Sequence, residues 1–224
     1  MGKKYQAASE LVDRNKTYPI EEAIALVKKT SMVKFDASME VHFHLNIDPK
    51  QTDQKIRTQV LLPHGTGKTV RVAAFVTEAK EKEAQAAGAE IVGGEELVKR
   101  IKETGKTDFD VAVAESAVMK SLAVVAKILG QRGLMPNPKT GTVGEDVAKL
   151  IKEIKGGKID IKTDEGGNIH QVIGKVSFDD QKLVENFQTL KEAIARAKPQ
   201  SLKKDFIQSI TLTSTMGPGV RIKK

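Results

Sequence analysis

The sequence contains no cysteine and no tryptophan, and aromatic residues fill only 4% of its 224 positions. Without cysteine there is no disulfide framework, no thiolate metal site and no cysteine nucleophile. So few aromatics argue against the stacking platforms on which RRM- and OB-type domains hold single-stranded bases. Long apolar stretches are missing as well. Runs such as Val111–Ala114 and Leu122–Ala126 fall far short of the ~18 residues of a membrane-spanning helix, so no membrane partner is expected. The opening residues Met1-Gly2-Lys3-Lys4-Tyr5 have no apolar stretch behind their lysines, so no signal peptide is expected. Gln6 stands where a myristoylation motif requires Ser or Thr. A soluble, cytoplasmic protein is the expectation.

Positive charge, by contrast, is in excess. The chain carries 37 Lys+Arg against 29 Asp+Glu, a formal net charge of +8. Such a balance suits an acidic partner, of which nucleic acid is the commonest, although many mildly basic proteins bind nothing anionic. Its distribution is more informative: residues 65–155 carry a net of only +2, and the remaining +6 lies in the two ends of the chain.

The periodicity changes along the chain in the same places. The N-terminal third reads as two helices followed by two strands. Pro19 stands at the start of a helix with Thr17 as capping candidate, Glu21 and Glu22 in the first turn, and Ile20, Ala23, Ile24 and Val27 at helical spacing. From Glu40 to Ile47 the pattern alternates strictly. Val41, Phe43, Leu45 and Ile47 share one face, and Glu40, His42, His44 and Asn46 the other, as in a half-buried strand. Residues 56–62 form a second β-like run that stops at Pro63. The middle block has another rhythm. Val70–Val76 is continuously apolar, and short strands at Ala89–Val92 and Phe109–Ala114 alternate with helices ending near Gly88 and spanning Glu95–Glu103, Ala117–Leu129 and Val147–Ile154. That is the signature of a Rossmann-like parallel α/β sheet with right-handed crossovers. After Gly156-Gly157 the pattern returns to strand-rich α+β. Strands at Lys158–Lys162 and Ile169–Ile173 precede an amphipathic helix marked by Leu183, Phe187, Leu190, Ile194 and Ala197. A last strand, Phe206–Leu212, places Phe206, Gln208, Ile210 and Leu212 on one face. Each end is under about 70 residues and too small to bury a good core alone. The fold class is therefore mixed α/β and α+β in two domains: a discontinuous α+β domain of residues 1–66 plus 157–224, and an inserted Rossmann-like domain of residues 67–156.

Several motifs invite chemistry. His64-Gly65-Thr66-Gly67-Lys68-Thr69 resembles a phosphate loop, yet Leu62 occupies the position of its first glycine and a strand follows instead of a helix. A flexible, mildly basic crossing between domains fits better. No Gly-x-Gly-x-x-Gly follows a strand, so a dinucleotide cofactor lacks support, and no Gly-x-Ser-x-Gly elbow occurs. His42 and His44 have a spacing that suits a metal, but a solvated polar face is the simpler reading. His170, beside a Gly-rich turn, fits contact with a phosphate or base edge as well as it fits a structural role. The Gly- and Pro-dense loop 130–141 is either a rigid connection or a basic arm presenting Arg132 and Lys139. In the tail, Thr211-Leu212-Thr213-Ser214-Thr215-Met216-Gly217-Pro218-Gly219 ends a strand in hydroxyls and glycines, with Lys203, Lys204, Arg221, Lys223 and Lys224 nearby. Hydroxyls and glycine-exposed amides suit ribose and phosphate oxygens at short range, and a Cβ at such a glycine would hold the RNA away. An ordinary edge strand with a turn is the alternative.

Taken in order, KFDASMEVHFHLNIDP, LPHGTGKTVRVAAF, LGQRGLMPNPKTGTV, GGNIHQVIGKVSF and TSTMGPGVRI closely resemble the bacterial ribosomal protein L-one family over nearly the whole chain. The resemblance implies a non-enzymatic constituent of the large ribosomal subunit with no catalytic residue, no cofactor and no metal. Its implied partners are the mobile rRNA stalk beside the tRNA exit site, the messenger of its own operon, whose translation it would repress, and exit-site tRNA, whose release it would assist. The free protein would be a monomer. Carried over residue by residue, the RNA-contacting strand implies Ser209, Thr211, Thr213, Thr215, Met216 and Gly217. The opposing segment implies Lys34, Phe35, Ser38 and Glu40, and the histidine after the Gly turn is His170. Thr213, Thr215 and the Gly217 backbone would contact sugar and phosphate, and Met216 would pack on the RNA. Phe35 would support that face, and Lys34 and Lys162 would neutralise phosphates. Glu40 would either accept from a 2′-OH or amino group or orient Lys34. The chain departs from the family pattern at Gln131 (usually Pro), Lys162 (usually Arg) and Lys204-Asp205-Phe206 (usually Lys-Gly-aromatic), the last two bearing on rRNA affinity. Two other classes compete: an enzyme built on the α/β domain, which the failed motifs disfavour, and an RNA chaperone or repressor acting away from the ribosome.

Overall fold

The computed structural model describes residues 2–48, 51–199, 202 and 205–224; Lys203 and Lys204 lie outside the described residues. In chain order the elements are α1 (Lys3–Glu10), α2 (Ile20–Lys29), β1 (Ser38–Leu45), β2 (Arg57–Leu61), β3 (Val72–Phe75), α3 (Glu78–Ala86), β4 (Ile91–Gly93), α4 (Glu95–Thr104), β5 (Val111–Glu115), α5 (Met119–Leu122), α6 (Ala126–Gln131), β6 (Val143–Gly144), α7 (Val147–Lys155), β7 (Lys158–Lys162), β8 (Asn168–Lys175), α8 (Asp180–Arg196), β9 (Ile207–Ser214) and β10 (Val220–Ile222). They divide into two compact units, Met1–Gly67 with Ile159–Lys224, and Lys68–Lys158. Among the described residues no helix is long and apolar enough to cross a membrane.

The first unit holds an antiparallel sheet in the order β10-β9-β1-β8 and a two-stranded sheet of β2 and β7. Alternation decides which face of the larger sheet is buried. Met39, Val41, Phe43 and Leu45 of β1, Ile210 and Leu212 of β9, and Ile169 and Ile173 of β8 enter one apolar cluster with α2 (Ala23, Ile24, Val27) and α8 (Leu183, Phe187, Leu190, Ile194). The ring of Phe43 lies parallel to that of Phe187, 6.3 Å away. Burying side chains of this size stabilises by roughly 1.5–3 kcal/mol each, so this one face carries most of the unit's cohesion. Helix α2 gains from Glu21 and Glu22 in its first turn and Lys28 and Lys29 in its last, which complement the helix dipole. Pro19 is the residue before the helix, and no side chain, Thr17 included, caps it.

Two expectations for this unit need correction. Gln208 does not join the buried face of β9. A register shift opposite His44 and Leu45 pairs Leu45 with Ile207. Gln208 is thereby expelled from the alternation and is exposed, donating from its Nε2 to Asn46 Oδ1 at 3.1 Å. Nor is the His64–Gly67 segment a loose crossing. The fully buried Asn186 of α8 accepts from the His64 amide at 3.1 Å and donates to the carbonyls of Gly65 (2.9 Å) and Ile173 (2.8 Å), while His64 Nε2 lies 2.6 Å from Glu185. A buried carboxamide would cost 1–3 kcal/mol unpaired, so this one fixes the segment.

The second unit is a parallel sheet in the order β4-β3-β5-β6. Here consecutive residues are buried on opposite sides. Ala73, Phe75, Ala112 and Ala114 face α4 and the 116–131 region, whereas Val72, Ala74, Val76 and Val113 face α3 and α7. Both faces are covered, which explains the unbroken apolar run in the sequence. Asp146 caps α7 through the Lys149 amide at 2.9 Å. The single helix expected over Ala117–Leu129 is instead segmented: 3₁₀ turns at Ser116–Val118 and Ala123–Val125 bracket α5 and precede α6. The β-branched pair Val124-Val125 crowds the preceding turn, which favours such tightening. Strand β5 starts at Val111, so Phe109 lies before it, edge-on to Phe75 at 6.2 Å.

Candidate nucleic-acid interface

Residues directly opposed in an antiparallel sheet share a face, so the pairing of β8, β1, β9 and β10 sorts the outward side chains into rungs. One rung is Asn168–His44–Ser209. The next is His170–His42–Thr211–Arg221, and the third Val172–Glu40–Thr213. A fourth begins with Lys175 opposite Ser38, where the Lys175 ammonium donates to the Ser38 hydroxyl at 2.9 Å. The helices lie on the other side, and every residue of these rungs is half-buried or exposed. The result is an open platform of hydroxyls, imidazoles and an arginine, flanked at one end by the residues around Ser38 and Thr215.

That end is built by short-range bonding. The Thr215 amide donates to the Ser38 carbonyl at 3.0 Å, and the Ser38 amide donates to the Thr215 hydroxyl at 3.1 Å. The Gly217 amide donates to the Ser214 carbonyl at 2.8 Å, closing a turn in which Met216 has φ of 67°. Thr213 braces the turn from below, its hydroxyl donating to the carbonyls of Ser214 (3.1 Å) and Gly217 (3.2 Å). The Thr215 hydroxyl in turn donates to the Ser38 carbonyl at 3.3 Å, so the hydroxyl protons of Thr213 and Thr215 are engaged inside the protein and both side chains hold the turn in shape. Gly217 is glycine for an internal reason too: a Cβ there would stand 2.3 Å from the Ser214 hydroxyl. That hydroxyl is buried and has no partner among the described residues. What the turn offers outward is Met216, 72% exposed. In the segment that leads into β1, Phe35 is 60% exposed, and Lys34 is exposed with no ion pair among the described residues. Asp36 anchors this segment, accepting from the Ser177 amide (3.1 Å) and hydroxyl (2.8 Å). No ion pair joins Glu40 to Lys34 among the described residues.

Of the residues named from the sequence, the structure brings Ser38, Glu40, His170, Ser209, Thr211 and Thr213 onto one sheet face, with Lys34, Phe35, Thr215, Met216 and Gly217 at its end. Lys162 is elsewhere. It ends β7 in the two-stranded sheet, exposed, and an isolated bridge from Thr163 to Ile169 joins that strand to the β8 edge. The same rungs add Arg221, His42, His44 and Asn168. The alternation alone marks His42 and His44, and Asn168 reads from the sequence as part of the Gly-rich turn; Asp36 and Ser177 carry no sequence signal, because only the strand pairing places them.

The turn between β7 and β8 supplies the strongest electrostatic feature of this face. Asp164 accepts from the Asn168 amide at 2.7 Å and the Gly166 amide at 2.8 Å, and His170 Nε2 lies 3.2 Å from its Oδ2. These donors, the Asn168 amide foremost, hold its carboxyl down to about 2, so it is ionised at any physiological pH. His170 Nδ1 in turn lies 2.8 Å from His42 Nδ1, and His44 Nδ1 2.7 Å from Asn168 Oδ1. Partial burial, then the neighbouring His170, push the His42 imidazole below its ordinary value, partly opposed by Glu40. Among the described residues no cluster of three or more His, Asp or Glu side chains could hold a metal ion.

In the second unit the loop 130–141 presents less than its sequence suggests. Arg132 donates to the Thr107 hydroxyl, and Thr142 and Asn137 close the loop on themselves, the Asn137 amide donating to the Thr142 hydroxyl at 2.9 Å. A cleft of about 1130 Å³ lies at the carboxyl ends of β3 and β4, lined among others by Thr77, Gly93, Gly94 and Ser121.

Comparison with known proteins bears on this platform. Residues 27–218 match the sequence profile of the Ribosomal protein L1p/L10e family. The large ribosomal subunit protein uL1 of Mycoplasma capricolum subsp. capricolum is 52% identical over 223 residues, spanning 100% of this chain and 98% of that protein. The protein of the same name from Mycoplasma mycoides subsp. mycoides SC gives the same 52% identity over 223 residues and the same coverage. That of Macrococcus caseolyticus is 52% identical over 221 residues, spanning 99% of this chain and 95% of the relative.

Proposed function

The chain belongs to the L1p/L10e family of ribosomal proteins, and from that premise we propose that its open sheet face binds the rRNA of the mobile stalk of the large subunit. As a family member it is a structural, non-enzymatic constituent of the large ribosomal subunit, at work in the bacterial cytoplasm. The observation that carries the finer reading is the set of rungs itself. Four strands turn serine, threonine, histidine and arginine side chains to one side and every large apolar side chain of the core to the other. A surface of this kind suits a folded RNA approached through ribose hydroxyls and phosphates, and the scarcity of aromatics fits shape recognition rather than base stacking. Met216 and Phe35 supply apolar contact at the end of the platform, and Lys34, Arg221 and, from the neighbouring sheet, Lys162 supply phosphate neutralisation. Two further roles follow in the same reading: assistance to the release of deacylated tRNA through movement of the stalk, and repression of its own messenger by a similar RNA fold. The free protein is proposed to be monomeric, with its two chain ends forming the RNA-binding domain and the middle of the chain the inserted one.

Chemical footprinting of the purified protein on large-subunit rRNA tests the central proposal. Protection of one contiguous stem-loop region, lost on substitution of Met216 or Thr215, is the expected result; uniform or absent protection overturns it. A competition arm with the 5′ leader of its own operon separates the repressor role, which expects displacement of the rRNA.

A further inference from the structure

The relay Asp164–His170–His42 crosses the turn and two strands, and of its ring nitrogens His42 Nε2 alone has no partner among the described residues. Asp164 is ionised and can only accept, so the 3.2 Å contact fixes a proton on His170 Nε2. In the neutral ring the other nitrogen, His170 Nδ1, must then be an acceptor. The 2.8 Å contact to His42 Nδ1 consequently requires the proton on His42, as Nδ1–H. His42 Nε2, which has no partner among the described residues, is left as a bare acceptor. One added proton reverses the chain. With both nitrogens of the His170 ring protonated, Nε2–H facing the Asp164 carboxylate, His170 Nδ1–H donates to His42 Nδ1. His42 is thereby driven into its other tautomer, and Nε2 becomes an N–H donor. The charged and titratable neighbours are few: Glu40 and His44 on the same face of β1, His170 across on β8 with Asp164 behind it, Arg221 beyond the uncharged Thr211.

Resting on the RNA-binding reading of this face, we infer that His42 is a further RNA-contacting residue, and that it engages a phosphate or ribose oxygen as a donor through uptake of one proton by the His42–His170 pair. Placement supports this: in its rung His42 lies between His170 and the Thr211 hydroxyl, with Arg221 beyond that hydroxyl. His170 acts through His42 as a positioning residue, and Asp164 sets its tautomer. Linkage of one proton permits at most a tenfold change in affinity per pH unit.

The test has two arms on the full chain. In the free protein, long-range ¹H–¹⁵N spectra of the imidazoles are expected to show His42 as the Nδ1–H tautomer and His170 as the Nε2–H tautomer at high pH, with His42 converting to Nε2–H on acidification. In the second arm, affinity for a transcript of the rRNA region protected in the footprint is measured between pH 8 and pH 6 at constant salt. Affinity of the parent is expected to rise by about three- to tenfold more than that of His42→Ala across this range. His42→Gln, which keeps an amide donor but cannot titrate, is expected to bind with the flat profile of His42→Ala and closer to parental affinity. Equal pH profiles in parent and His42→Ala, with binding intact, overturn the inference alone, as does a His42 that stays Nε2–H at high pH. Absence of binding at every pH overturns the RNA reading and this inference with it.

Discussion

In β3 of the inserted unit all four residues are buried, whereas in β1 of the other unit burial skips every second residue. Both strands are central in their sheets. The difference lies in what covers them: helices on both faces of the parallel sheet, helices on one face of the antiparallel one. A strand covered on both sides spends every side chain on cohesion, as Val72, Ala73, Ala74 and Phe75 do. One covered on a single side can spend half its side chains on a partner, and Glu40, His42 and His44 are what that freedom leaves. The comparison teaches where to look for function in this chain. The mixed architecture holds one sheet that is all core and another that is half surface, and the proposed RNA contacts lie on the latter.

The largest effect that would break the comparison lies on neighbouring residues of β1. Phe43→Ala removes a ring that is fully buried and parallel to Phe187. It is expected to destabilise the protein by about 3–5 kcal/mol, the range for large-to-small changes in a core. His44→Ala, one residue on and on the open face, is expected to stay within about 0.5 kcal/mol. Denaturant unfolding of both variants checks this; comparable losses would mean that the open face is as structural as the covered one.

A smaller effect, on binding rather than folding, sharpens the functional half of the contrast. Thr215→Ala keeps the backbone bond to the Ser38 carbonyl but leaves the Ser38 amide without the Thr215 hydroxyl, and Gly217→Val drives a side chain into Ser214. Either is expected to weaken rRNA binding by about 1–3 kcal/mol, the range for a lost buried hydrogen bond. If six phosphates are neutralised in the complex, log K falls with log salt at a slope of roughly −4 to −5. Wild-type affinity in both variants, or a binding constant indifferent to salt, would remove this end of the platform from the interface.

How much of this was legible beforehand follows from the same contrast. The alternation from Glu40 to Asn46 identifies a one-sided strand because its cause is local: each side chain meets either helix or water. The unbroken run at Val70–Val76 identifies a two-sided strand for the same reason. Hydrogen-bonded roles were not legible in this way. Thr215 looks like an outward hydroxyl until Ser38, 177 positions away, is placed beside it, and His42 looks merely solvated until His170, 128 positions away, comes within 2.8 Å. Gln208 fell on the wrong face because one register shift reverses alternation, and no residue announces the shift. The helix expected over Ala117–Leu129 failed on short-range geometry that apolar spacing does not report.

The smallest effect compares two residues with the same backbone conformation and opposite uses. Gly105, which ends α4, and Met216, at the tip of the platform, both have positive φ, 63° and 67°. At Gly105 a Cβ would meet nothing within 4 Å, so only the backbone objects to a side chain. Gly105→Ala is therefore expected to cost about 1 kcal/mol, the price of a left-handed conformation in a residue that resists it. The Met216→Gly change runs in reverse, removing that strain and an exposed side chain with no core contact to lose. Met216→Gly is expected to raise stability by about 0.5–1 kcal/mol and to lower rRNA affinity, because the side chain that the turn lifts outward is gone. Thermal unfolding and a binding assay on the same preparation separate the two effects. A gain in stability without loss of binding would show that the methionine is tolerated at that turn rather than used there. Loss of both would mean that its side chain holds the turn together, and that the strain at position 216 serves the fold.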